Sequence, residues 1–147
     1  CSSDLGGSRP GGALGPGAAA LVQVRPLAID GLPVDPYQES YVLGNVGVAL
    51  SRYLGPTDLI ARVSLDKFAL LFRSGEVERI DAMMRRLLAD LQTRGVAFEG
   101  GRCLVEANAS LIACDAAVTS AAEVLRLLDA GLAGVTVEEA QVLRYAA

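Results

Sequence analysis

Apolar and polar positions alternate in blocks whose periods change along the chain. Residues 19–27 form a short apolar run with Val22 and Val24, the signature of a central strand. Residues 30–36 carry Gly31, Pro33 and Pro36, which predict a turn-rich loop. Ser40 is placed to cap a helix reaching Leu54, with Val42, Val46, Ala49, Leu50 and Tyr53 on one face. Leu43, Gly44 and Gly47 fall away from that stripe, and Arg52 is the only charge after Ser40, so this helix is apolar on nearly every side. Residues 59–63 and 68–72 read as two strands joined by the turn Ser64-Leu65-Asp66-Lys67. Residues 76–91 give the clearest helix, burying Val77, Ile80, Met84, Leu87, Leu88 and Leu91. A second hairpin, residues 97–99 and 102–113, turns at Gly100-Gly101; a helix over 121–133 and an edge strand over 141–145 complete the series. This order predicts an α/β (α+β) fold with a central, mostly antiparallel sheet flanked by helices.

Length and composition narrow the function classes. The 147 residues suit one domain, and 52% apolar with 20% charged residues is a globular balance. Residues 1–18 are rich in Gly, Ser, Pro and Ala and read as a linker or tail, with the folded domain spanning 19–147. A linker there suggests a domain cut from a longer protein. No apolar run is long enough to span a bilayer and no signal peptide is visible, so a cytoplasmic location without membrane insertion is expected. The net charge of −4, without basic clusters or Trp, argues against nucleic-acid binding. Histidine is absent, and Cys1, Cys103 and Cys114 match no metal spacing, so neither a metal nor a cofactor is expected. Cys103 and Cys114 read as small core hydrophobes. Cys1 reads as a fragment boundary in preference to a lipid-modified first residue.

Residues 61–71, Ala-Arg-Val-Ser-Leu-Asp-Lys-Phe-Ala-Leu-Leu, resemble the stretch that carries the GGDEF motif of bacterial diguanylate cyclases. The likeness runs from about residue 19 to 145 and rests on spacing more than identity. It includes Asn108-Ala109-Ser110, with Ile112 where a glycine is usual, and the terminal Asp129-Ala130-Gly131-Leu132. The resemblance implies a nucleotidyl-cyclase-like domain of the kind that joins two GTP molecules into cyclic dimeric GMP across a two-fold dimer. That chemistry needs carboxylates for two Mg²⁺ ions, glycines that admit the phosphates, and basic groups to balance charge.

By that resemblance the chain departs from the pattern at most functional positions. The metal-binding aspartate of the first strand aligns with Gln23, and the hairpin glycines align with Ser64 and Leu65. Asp66 and Phe68 match, but the glutamate between them is Lys67, the only lysine in the chain. The guanine-reading Asn and Asp align with Gly31 and Ser40, and the phosphate-contacting Lys and Arg with Thr136 and Ala140. Ser64, Leu65, Asp66, Lys67 and Phe68 are therefore expected to form a degenerate motif with no catalytic residue. The product-inhibition segment reads Gly55-Pro56-Thr57-Asp58, with Asp58 kept and its arginine lost. Asp58 and Arg86 are the remaining candidates for nucleotide binding. Lys67 is another, and Arg62 is read as a support of the hairpin.

The expected function is a catalytically inactive regulatory module in a cyclic dimeric GMP signalling protein. Its partner would be a neighbouring domain of the same chain, such as a phosphodiesterase (EAL) domain, another protein, or a second copy. Leu43, Gly44 and Gly47 mark the apolar helix face as the interaction surface; the competing reading buries that face beneath a C-terminal segment. The alternative function is a non-catalytic sensor of GTP or cyclic dimeric GMP.

Overall fold

A computed structural model describes residues 17–73, 76–114, 120–134 and 142–145. The elements run β1 (Gly17–Ile29), β2 (Leu32–Pro33), α1 (Pro36–Ser51), β3 (Leu59–Arg62), β4 (Lys67–Phe72), α2 (Val77–Arg94), β5 (Val96–Phe98), β6 (Gly101–Cys114), α3 (Ala121–Leu132) and β7 (Val142–Tyr145). The strands form one antiparallel sheet ordered β3-β4-β1-β6-β5, with β2 on β1 and β7 on β6. This is the α+β architecture read from the sequence, with one added strand.

Strand β1 lies at the centre because it can bury both faces. Ala18, Ala20, Val22 and Val24 join the larger core beneath α1 and α2, together with Val42, Leu50, Met84 and Leu87. Ala19 and Leu21 face the other way, toward Val124, Leu127 and Leu128 of α3. A strand covered on both sides reads as a continuous apolar run instead of an alternating one. It begins at Gly17, two residues inside the stretch expected to be linker, and buries Ala18 completely. The register shifts between Pro26 and Ala28, which accommodates Pro26 within the strand.

The loop expected over residues 30–36 is a hairpin followed by a helix start. Asp30 and Gly31 have φ of 52° and 80°, and Ile29 pairs with Leu32 across them. Asp-Gly is the dipeptide best suited to two consecutive positive-φ positions. Asp35, not Ser40, caps α1. Its carboxylate accepts from the Gln38 amide at 2.8 Å, and the Gln38 side chain accepts from the Asp35 N–H at 3.1 Å. Pro36 does not break this helix, because the first turn has no intrahelical partner for its missing N–H. The helix also ends earlier than expected, at Ser51.

Helix α2 buries Ile80, Met84, Leu87, Leu88 and Leu91, as its periodicity predicts, while Val77, expected in the same stripe, is only half-buried in the first turn. It is tied down at two points. Tyr53, beyond the end of α1, donates to Asp90 at 2.5 Å, and this hydrogen bond holds the phenol above its ordinary pKa. Tyr145 of β7 donates to Asp81, and Arg85 lies over the Tyr145 ring at 5.3 Å. Burial, followed by the Asp81 contact, pushes the Tyr145 phenol upward. Cys103 is buried in the larger core, where desolvation raises its thiol, consistent with a structural role. No helix among the described residues is long and apolar enough to cross a membrane.

Candidate functional site

The β3–β4 hairpin carries Ser64, Leu65, Asp66, Lys67 and Phe68, and its own side chains hold it closed. Arg62 donates to the Leu65 carbonyl from Nε at 3.2 Å and from Nη2 at 2.7 Å, and its guanidinium lies 5.6 Å from the centre of the Phe68 ring. The cation is spent on the turn, which is the supporting role expected of it. The Lys67 carbonyl accepts from the Val63 N–H at 3.0 Å. Leu65 projects from the tip and is 77% exposed. Phe68 is buried against α1, where a Cβ on Gly47 would sit 3.4 Å from its ring.

Asp66 is engaged on both carboxylate oxygens. Oδ2 accepts from Nε2 of Gln23 at 2.9 Å, and Oδ1 accepts from the Ser64 hydroxyl at 3.1 Å. Its backbone carbonyl accepts from the Val24 N–H at 3.0 Å. In the sheet Gln23 lies between Lys67 of β4 and Asn108 of β6. A pair of carboxylates at this spacing would repel and call for a cation between them. An amide facing a carboxylate closes the same gap as a neutral-to-anion hydrogen bond. Lys67 reaches across to α3, with Nζ 3.1 Å from Asp129 Oδ1. The one carboxylate of the motif is thus met by an amide and a hydroxyl, with an ammonium on the neighbouring residue. That donor set does not fit two Mg²⁺ ions, which need several hard oxygens each. Among the described residues no three His, Cys, Asp or Glu side chains gather at one point.

This geometry makes Gln23→Glu an informative change. The substitution keeps the shape but sets a carboxylate against Asp66. The variant is expected to lose about 1–2 kcal/mol, the sum of a lost hydrogen bond and like-charge repulsion. Urea unfolding measures it; an unchanged stability would show that the contact does not hold the hairpin.

Asp58 and Arg86 share no hydrogen bond or ion pair with each other. Asp58 closes a turn, accepting from the Gly55 N–H at 2.8 Å and, through its other oxygen, from the Arg73 N–H at 3.3 Å. Both oxygens are committed to the backbone, joining the segment before β3 to the end of β4. Arg86 is exposed on α2, where its charge acts on Tyr53. Of the guanine-reading positions, Gly31 is a turn residue and Ser40 lies within α1. Thr136 and Ala140 lie outside the described residues.

The proposed interaction trio is only partly at the surface. Leu43 is 3% exposed and belongs to the core, because it shares the i, i+3, i+7 face of Val46 and Leu50. Gly47 faces Phe68. Gly44 alone is open, with nothing within 4 Å of where a Cβ would stand. The apolar residues actually displayed by α1 are Tyr37, Tyr41 and Val48. Their spacing of four and then seven residues was available in the sequence, but a helix beginning after Ser40 left Tyr37 outside it.

No protein-family model and no curated protein matches the chain. Solved structures do match in fold. The GGDEF domain of DgcB from Caulobacter crescentus, in complex with c-di-GMP, is 15% identical with a TM-score of 0.59, over 81% of this chain and 71% of that one. An EAL/GGDEF domain protein from M. capsulatus is 14% identical with a TM-score of 0.62, over 82% and 77%. The diguanylate cyclase SiaD from Pseudomonas aeruginosa, in complex with its activator SiaC, is 17% identical with a TM-score of 0.61, over 81% of this chain and 45% of that one. The chain therefore spans less than half the length of that cyclase. With its antiparallel sheet and flanking helices, this chain is a GGDEF-like domain by fold.

Proposed function

We propose that this chain is a catalytically inactive regulatory module of a bacterial cyclic dimeric GMP signalling protein, acting in the cytoplasm through protein or interdomain contacts. The observation that carries the reading is the Gln23–Asp66 hydrogen bond at 2.9 Å, with Lys67 adjacent in sequence. Two-metal catalysis needs ligands that clamp both reacting oxygens. Here the one remaining carboxylate is satisfied by protein donors, and the tip carries an apolar side chain where phosphates would approach. The fold matches include an EAL/GGDEF protein and a cyclase bound to its activator, which agrees with a domain of this shape working beside other domains or proteins.

Calorimetric titration with GTP–Mg²⁺ and with cyclic dimeric GMP tests the proposal. No binding heat is expected from either at ligand concentrations up to about 100 μM, a threshold that corresponds to roughly −5.5 kcal/mol. Micromolar binding without turnover would establish the sensor reading instead. Formation of cyclic dimeric GMP would overturn inactivity.

A further inference from the structure

The solvent side of α1 is apolar where a surface helix normally carries charge. Tyr37, Tyr41, Gly44 and Val48 recur at i, i+4, i+7 and i+11 and make one narrow stripe opposite the buried Val42, Leu43, Val46 and Leu50. Tyr37, Tyr41 and Val48 are 68%, 44% and 56% exposed. Helix α2, of similar length, instead presents Glu78, Arg79, Arg85 and Arg86 to solvent. Between Glu39 and Arg52, α1 carries no charge. Tyr41 is also held in place, edge-on to Phe98 with ring centres 5.2 Å apart. An aromatic ring already fixed loses little side-chain freedom on binding.

We propose that this stripe is the seam of a two-fold homodimer in which α1 of one copy lies antiparallel across α1 of the other. The stripe is complementary to itself in that direction. A two-fold axis midway between Tyr41 and Gly44 sets each Tyr41 ring against Gly44 of the second copy. It sets each Tyr37 against Val48 of the second copy. The ring meets open space, because Gly44 has no Cβ and no neighbour there.

Charge selects the same direction. Asp35 and Glu39 stand at the N-terminal end of α1 and Arg52 at its C-terminal end. None of the three has an ion-pair partner among the described residues. Parallel packing would set like charges together. Antiparallel packing brings Arg52 of each copy toward Asp35 of the other and opposes the helix dipoles favourably. The seam rests on the reading of the chain as an interaction module, and it uses neither residue of the Gln23–Asp66 contact.

Two measurements test it. In a background with Cys1→Ser and Cys114→Ser, Tyr37→Cys and Val48→Cys are made separately. Each alone is expected to stay uncrosslinked under mild oxidation, because equivalent positions lie roughly 16 Å apart along the antiparallel helices. A disulfide needs Cα atoms within about 7 Å. Mixing the two variants is expected to give a crosslinked dimer. Light scattering of the unmodified chain is expected to show a dimer that Gly44→Arg weakens at least tenfold, with Tm unchanged or raised when measured dilute enough that both proteins are monomeric, because arginine favours a helix over glycine.

A strict monomer at about 0.5 mM, where even a millimolar dissociation constant leaves visible dimer, would overturn the proposal. So would crosslinking of either cysteine variant with itself, or a dimer unaffected by Gly44→Arg. None of these readouts involves nucleotide, so failure of the seam leaves the inactive-site reading standing. Micromolar GTP–Mg²⁺ binding would remove that reading and leave the seam.

Discussion

Gly95→Ala is expected to cost about 3 kcal/mol or more of folding stability. Gly95 ends α2 with φ 70° and ψ −167°, a backbone region essentially reserved for glycine. Adding any side chain there costs about 1–3 kcal/mol in strain. An added Cβ would also stand 2.4 Å from the Cys103 carbonyl oxygen and 3.1 Å from its carbon. That carbonyl belongs to β6, which is paired with both β1 and β5, so it cannot move aside cheaply. Forced overpacking of this kind adds about 1–3 kcal/mol. The comparison is Gly100→Ala. Gly100 has φ 83° but nothing within 4 Å of its Cβ position, so only the conformational cost of about 1 kcal/mol applies. Urea unfolding of both variants gives the values, provided the m-value is unchanged. A loss below about 1 kcal/mol for Gly95→Ala would mean that the α2–β5 junction relaxes freely.

The two faces of the sheet are expected to respond unequally to the same deletion. Leu87→Ala removes a fully buried side chain from the centre of the α2 stripe, where Met84, Leu88 and the sheet enclose it. A closed cavity should cost about 3–4 kcal/mol, within the range for Leu→Ala in tight cores. Leu128→Ala acts on the other face. Leu128 is equally buried, but it lines an apolar groove of about 250 Å³ between α3 and strands β3, β4 and β1. Space freed there joins an existing opening, and neighbouring side chains can settle into it. The expected cost is about 2–3 kcal/mol, at the lower end of the same range. Paired denaturation curves decide the matter. Equal losses would show that the groove gives no relief.

The face pattern was legible wherever one side of an element met solvent. In α2 the stripe from Ile80 to Leu91 could be read directly, and all of it is buried. The β3–β4 hairpin was likewise visible from its apolar strands and polar turn. Pro36 suggests a helix break and Ser40 a cap, so the sequence pattern places the start of α1 five residues late. The Asp35/Gln38 capping box was present in the sequence all the same. The earlier start adds Tyr37 to the Tyr41–Val48 stripe, whereas Leu43 is buried by its own spacing to Val46 and Leu50. The β1–β2 hairpin was missed although Asp30-Gly31 signals it, because the prolines that follow suggested irregular structure.

At the site, residue identities supply a neutral Gln23, an apolar Leu65 and a cationic Lys67 to the company of Asp66. They do not establish what Asp66 does in that company. A lone aspartate can be solvated, can await a cation or can be satisfied within the protein, and sequence separation does not distinguish these. The antiparallel pairing of β1 with β4 decides it by placing Gln23 beside the hairpin, so that an amide 43 positions away reaches the carboxylate. The same holds for Asp58, whose backbone partners lie on both sides of β3–β4. Side-chain chemistry and local periodicity belong to the sequence because they act over a few residues. The partners of a polar group across a sheet belong to the tertiary structure, because only strand register brings them within hydrogen-bonding distance.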